Sequence, residues 1–195
     1  MNLRASLPCI ALLAFSSLLL AEDAEKKAET REVKIKDITL TIPADWKHTE
    51  PGGQFARLRL AQFQIPPAKG DEETVELVVS SFGGGGGGLQ ANLPRWVGEF
   101  EPKGREMKIT TGKSKQGEYS VVTVSGSHVG PPFSRRTTPL ADAKLIAISL
   151  VVPEKGTYYL KVSGPAKTIE GVADDLRKAI GANAKDEKEY DPNAE

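Results

Sequence analysis

Six consecutive glycines, residues 83–88, stand between an apolar run of strand character and a stretch of helical period. That junction limits the folds open to the chain more than any other feature. Before it, residues 74–82 have the length and β-branched content of a strand. After it, Leu89, Leu93, Trp96, Val97 and Phe100 recur at helical spacing and mark one apolar face. The centre of the chain is therefore a buried strand, a glycine hinge and an amphipathic helix that must lie on something apolar. On that face Trp96 reads as core rather than as a stacking platform for a ligand.

The 195 residues suffice for one well-packed domain and are too few for two. Lys+Arg and Asp+Glu each total 26, so no net charge draws the chain to nucleic acid or to an anionic membrane. Residues 1–21 read as a signal peptide: Arg4 is a short basic start, residues 10–20 are apolar apart from Ser16 and Ser17, and Ala21 and Ala24 are small. The mature chain is expected to start between Glu22 and Glu25 and to be periplasmic or secreted, with no membrane span after cleavage. Cys9, the sole cysteine, lies inside the signal and before its apolar run, so the mature chain is cysteine-free. Residues 22–32 are a charged lead-in expected to be disordered, residues 33–182 a single domain, and residues 183–195 a polar tail also expected to be disordered.

Within the domain, Val33, Ile35, Ile38, Leu40 and Ile42 alternate around Lys36-Asp37, as in a short hairpin or bulged strand ending at Pro43. Trp46 follows in a turn, tucked under the sheet edge. Ala56, Leu58 and Leu60 alternate with Arg57 and Arg59. Strands are expected over 107–111, 118–127, 144–152 and 157–163, the third so continuously apolar that both its faces are covered. The short turn at Glu154-Lys155-Gly156 makes the last two antiparallel. A final helix is marked by Ile169, Val172, Ala173, Leu176 and Ile180, with acids early, bases late and Gly181 as the stop.

Two patches carry a resemblance: residues 83–100 with the run Ala91-Asn92-Leu93-Pro94-Arg95-Trp96, and the hairpin end Tyr158-Tyr159-Leu160-Lys161-Val162-Ser163-Gly164-Pro165. Together they resemble a family of exported bacterial proteins of unknown function, over roughly residues 35–182. The resemblance implies a PsbP-like fold, an α+β class α/β/α sandwich in which a mainly antiparallel sheet is flanked by two amphipathic helices. Pro94 departs from the usual pattern. It removes a backbone donor, and the first turn is expected to be irregular or to begin only at Asn92. The family has no established activity, so the resemblance implies a fold and no function.

Gly83, Gly85 and Gly88 satisfy a dinucleotide-binding template, but any run of six glycines does. No Lys-Ser/Thr follows them, and the neighbouring strands look antiparallel where that motif needs parallel pairing. His48 and His128 fall in separate predicted loops and read as surface histidines, leaving no ligand set for a metal. No serine lies in a nucleophile elbow, and no two carboxylates stand out as a catalytic pair. The sequence thus assigns no catalytic residue, cofactor or metal ligand. It predicts an exported, non-catalytic binding or assembly module, the alternative being an envelope hydrolase or small-ligand-binding enzyme with a site of dispersed polar residues. The partner surface, an envelope protein being the expected partner, is placed on the long loop 126–142, stiffened by Gly130-Pro131-Pro132 and carrying Phe133, Arg135 and Arg136.

Overall fold

The computed structural model describes residues 29–51, 58–82, 86–133 and 135–192. The expected signal segment, residues 22–28 of the lead-in, and Ala56 and Arg57 lie outside them. The elements are β1 (Thr30–Ile35), β2 (Ile38–Pro43), β3 (Lys47–Thr49), β4 (Arg59–Ile65), β5 (Val75–Ser81), α1 (Gly88–Val97), β6 (Glu106–Lys113), β7 (Glu118–His128), β8 (Leu140–Val152), β9 (Gly156–Pro165), α2 (Ala166–Gly171), α3 (Ala173–Ala179) and β10 (Lys188–Glu189). The chain is α+β. Eight strands form one antiparallel sheet in the order β10-β6-β7-β8-β9-β5-β4-β3, and β1 and β2 form a separate hairpin. No helix among the described residues is long and apolar enough to cross a membrane.

Alternation assigns each sheet residue to one of two apolar clusters. Tyr158, Leu160 and Val162 of β9 join Leu77 and Val79 of β5 and Ile146, Ile148 and Leu150 of β8 in the larger one. The hairpin β1–β2 closes that cluster with Ile35, Ile38, Leu40 and Ile42, and α3 adds Leu176 and Ala179. Tyr159 of β9, Val122 and Val124 of β7, and Leu145 and Ala147 of β8 belong to the smaller cluster, which α1 covers with Leu93 and Trp96. Residues 145–150 of β8 are buried without a break, because both of its faces are covered.

Several details differ from the sequence reading. Order reaches back to Thr30, since β1 pairs with β2 along its whole length and Lys36-Asp37 is a true two-residue turn. The final helix is divided at Val172. Its first part is held where Asp71 accepts the backbone N–H of Thr168 at 3.0 Å and its hydroxyl at 2.5 Å. Its second part follows the apolar surface of β2, and Gly171 offers little helical resistance to the change of direction. The loop after β7 is shorter than expected, because β7 continues through a bulge at Gly126 to His128 and β8 already begins at Leu140.

The polar C-terminal end also departs from expectation. Residues 184–186 make a 3-10 turn, and β10 pairs with β6 through Lys188↔Thr111 and Glu189↔Thr110. Composition marks this stretch as solvated, but the Glu187 side chain is only 4% exposed. Its carboxylate accepts Arg177 Nε at 2.7 Å and Nη2 at 3.1 Å, and the Thr110 hydroxyl at 2.6 Å. Burial, with Glu187 nearby, pushes the Tyr119 phenol up to about 12, so its proton stays in place to reach Glu187 at 3.4 Å. A Glu187→Gln chain keeps the shape and loses the charge. It is expected to lose about 1–3 kcal/mol and to be trimmed faster by carboxypeptidase. Trimming at the native rate, followed by mass spectrometry, would show that the tail is held by strand pairing alone.

Candidate functional site

The site grows out of the glycine run. Gly86, Gly87 and Gly88 all lie in the left-handed region, at φ 58°, 81° and 65°. Three such residues in succession are a conformation that a residue with a Cβ resists, so this end of the run does more than act as a hinge. At Gly87 a Cβ would also stand 2.5 Å from that of Ala91. The turn is fastened from the helix it starts: Asn92 Nδ2 donates to the carbonyls of Gly86 at 3.0 Å and Gly88 at 2.8 Å. Tyr159, on the sheet below, takes a hydrogen bond from the Gly88 backbone. That donor, which a dinucleotide phosphate would need, is already used within the chain, and every strand pairing is antiparallel.

The motif Ala91-Asn92-Leu93-Pro94-Arg95-Trp96 thus has a structural meaning. Asn92 locks the glycine turn, and Leu93 and Trp96 face the sheet. Trp96 meets Tyr159 edge-on at 6.2 Å, while Pro94 and Arg95 are exposed. The helix begins at Gly88 and runs through Pro94, rather than starting at Asn92. The bond Pro94 cannot make would go to the carbonyl of Gln90, whose exposed position leaves that carbonyl open to water. At the other end Arg105 Nη1 donates to the carbonyls of Val97 at 3.1 Å and Phe100 at 3.3 Å, holding the turn after the helix in which Phe100 N–H also reaches the Val97 carbonyl at 3.2 Å.

Beyond this end lies a buried charged group that sequence reasoning missed. Glu99, 3% exposed, accepts from Lys161 Nζ and faces His128 Nε2 at 3.3 Å. Burial alone pushes its carboxyl up, but the His128 hydrogen bond and the Lys161 charge outweigh it and hold the pKa below the ordinary 4.5. The Glu99 carbonyl also accepts the N–H groups of Val129 at 2.8 Å and Gly130 at 3.2 Å. One residue therefore ties the end of α1 to β9 and to the start of the loop after β7. His128 is not a surface histidine: it is 6% exposed, its ring is tilted 56° against Phe100 at 4.9 Å, and its Nδ1 is buried with no partner among the described residues. Its place was legible as a continuation of the Val122, Val124 alternation. Its partner was not. His48 is exposed and stacks at 5.1 Å on Phe63.

Where α1 leaves the sheet uncovered, a cleft of about 870 Å³ opens. Its floor is the upper face of β4, β5 and β9, with Arg59, Glu76, Val78, Ser80, Lys161 and Ser163. One wall is α1 with Asn92, Pro94, Arg95 and Trp96, and Phe82 stands at the glycine turn. The loop after β7 supplies Pro131, Pro132, Phe133 and Arg135, and Leu58 closes the far end. Two of the four cations are matched within the site: Arg59 meets Glu76 at 3.1 Å, and Lys161 meets Glu99. Among the described residues no carboxylate lies within 4 Å of Arg95 or Arg135. Arg95 has only a long 3.5 Å bond to Asn92 Oδ1. Beneath the floor, Gln62 donates to Glu76 at 2.5 Å, and its own Oε1 is buried with no partner among the described residues.

Of the three loop residues singled out from the sequence, the structure brings Phe133 and Arg135 to this cleft and leaves Arg136 outside, where it pairs with Glu73 at 3.0 Å. Trp96 is core, as expected, yet one edge of it also lines the cleft. Neither histidine does. Among the described residues no three His, Cys, Asp or Glu side chains are grouped to hold a metal. A second concavity, of about 560 Å³, lies between β6, β7 and β8 and the C-terminal stretch, and its Lys113 and Glu118 satisfy each other at 2.9 Å. Compared with protein-family models and with curated proteins, the chain matches none.

Proposed function

We propose that this chain is an exported, non-catalytic binding or assembly module with a PsbP-like α/β/α sandwich fold, and that the cleft beside α1 is where its partner, an envelope protein, docks. The carrying observation is that Arg95 and Arg135 line an apolar-walled cleft whose two carboxylates, Glu76 and Glu99, are taken by Arg59 and Lys161, so that among the described residues none lies within 4 Å of either arginine. A chain that spends two guanidinium groups this way leaves them for something outside itself. The open form of the cleft supports docking rather than the enclosed, convergent arrangement of a reaction site. The buried Glu99–His128 pair is turned inward, and the second ring nitrogen of His128 is sealed with no partner among the described residues, which supports a structural role for the pair.

The expected result of a double reversal, Arg95→Glu with Arg135→Glu, is loss of the envelope proteins that the wild-type chain captures. Arg136→Glu, outside the cleft, should leave capture unchanged. Both arginines of the double variant are exposed, so its circular dichroism and melting should match the wild type. Capture that survives the double reversal would place the docking surface elsewhere.

A further inference from the structure

Resting on the reading of the chain as a binding module, we infer that the cleft takes an extended acidic segment of a protein partner, with an apolar side chain seated between Trp96 and Phe133. The charge inventory points to the acid. Arg59 and Lys161 are neutralised inside the site by Glu76 and Glu99, so the surplus is the pair of guanidinium forks, Arg95 and Arg135. A planar fork matches a carboxylate through two parallel hydrogen bonds. The two forks come from different elements, α1 and the loop after β7, so one compact anion does not serve both by default. Carboxylates spaced along a chain do.

The walls point to the apolar side chain. Phe82, Trp96, Pro131, Pro132 and Phe133 present rings around the two charges, and Phe133 is 69% exposed. Rigid aromatic and proline surfaces lose little entropy on contact. A partner that is acidic alone leaves Pro132 and Phe133, the exposed rings, in water. One that is apolar alone leaves two cations to be desolvated without compensation. The floor adds Ser80 and Ser163, whose hydroxyls suit the backbone of an extended segment.

Fluorescence anisotropy tests this with end-blocked, labelled peptides in which glutamates flank a phenylalanine at different spacings, titrated with the full chain. At least one spacing is expected to bind, with affinity falling steeply as salt rises. Changing its glutamates to glutamine should weaken it about tenfold, and changing its phenylalanine to alanine should weaken it by a comparable factor. Arg95→Ala with Arg135→Ala should bring the glutamate peptide down to the glutamine level. Equal binding of the glutamine peptide overturns the inference. So does no binding at any spacing, or binding to anionic lipid vesicles without binding to the peptides. If the peptides fail while capture of envelope proteins still depends on Arg95 and Arg135, the ligand class falls and the module reading stands. If that capture also fails, both fall.

Discussion

Trp96→Ala is expected to lower stability by about 3–5 kcal/mol, measured as a shift of the denaturation midpoint at unchanged slope. The indole is 6% exposed and lies between the sheet and the cleft, edge-on to Tyr159. Removing it leaves a void under α1 that Leu93 of the helix and Phe100 just beyond its end cannot fill without moving the helix. The smaller cluster has few members, so the loss falls on a large share of what holds α1 down. Trp96→Phe keeps a ring against Tyr159 and should lose less than half as much. A midpoint for Trp96→Ala within error of the wild type would mean that α1 is not anchored through this residue. The cleft wall would then have to be reconsidered with it.

Glu99→Ala should be as severe, about 3–5 kcal/mol, because it breaks a buried charged group and strands its partners. Lys161 is 28% exposed and can swing into water. His128 cannot: among the described residues its Nδ1 already lacks a partner, and Nε2 would then lack one too. The pH dependence gives a second readout. Glu99 has a folded-state pKa below that of the unfolded chain. Its contribution to stability is therefore complete above the ordinary value of 4.5 and is lost as pH falls through the folded value. The wild type should accordingly lose stability on acidification below about pH 5 more steeply than Glu99→Ala does. Parallel acid limbs in the two proteins would show that the carboxylate is no better placed in the fold than in the open chain.

How much of this was legible beforehand varies by element. The strand before the glycines and the apolar face of α1 were readable because each depends on a period of a few residues within one stretch. The same holds for the antiparallel hairpin β8–β9 and the two-sided burial of β8. Phe133 and Arg135, singled out by loop length and residue type, both line the cleft. Arg136 was placed beside them for the same reason, and its ion pair with Glu73, distant in sequence, takes it away. The loop itself was drawn too long because a bulge at Gly126 interrupts the alternation that would have shown β7 continuing to His128.

By itself the sequence determined which side is apolar in the strands and helices of clear period, and where most of the turns between them fall. It also required glycine where the backbone enters α1 through three left-handed residues. Only the tertiary structure decided which side chains meet. Glu99 finds His128 across 29 positions and Lys161 across 62, and it does so because α1 carries the chain from β5, over the sheet, to β6 at its far side. The polar end, unremarkable in composition, is held by the pairing of β10 with β6 and by Arg177, Thr110 and Tyr119, which converge on Glu187. Periodicity records the face a residue takes. Its neighbour on that face follows from strand order and register, which no local pattern encodes.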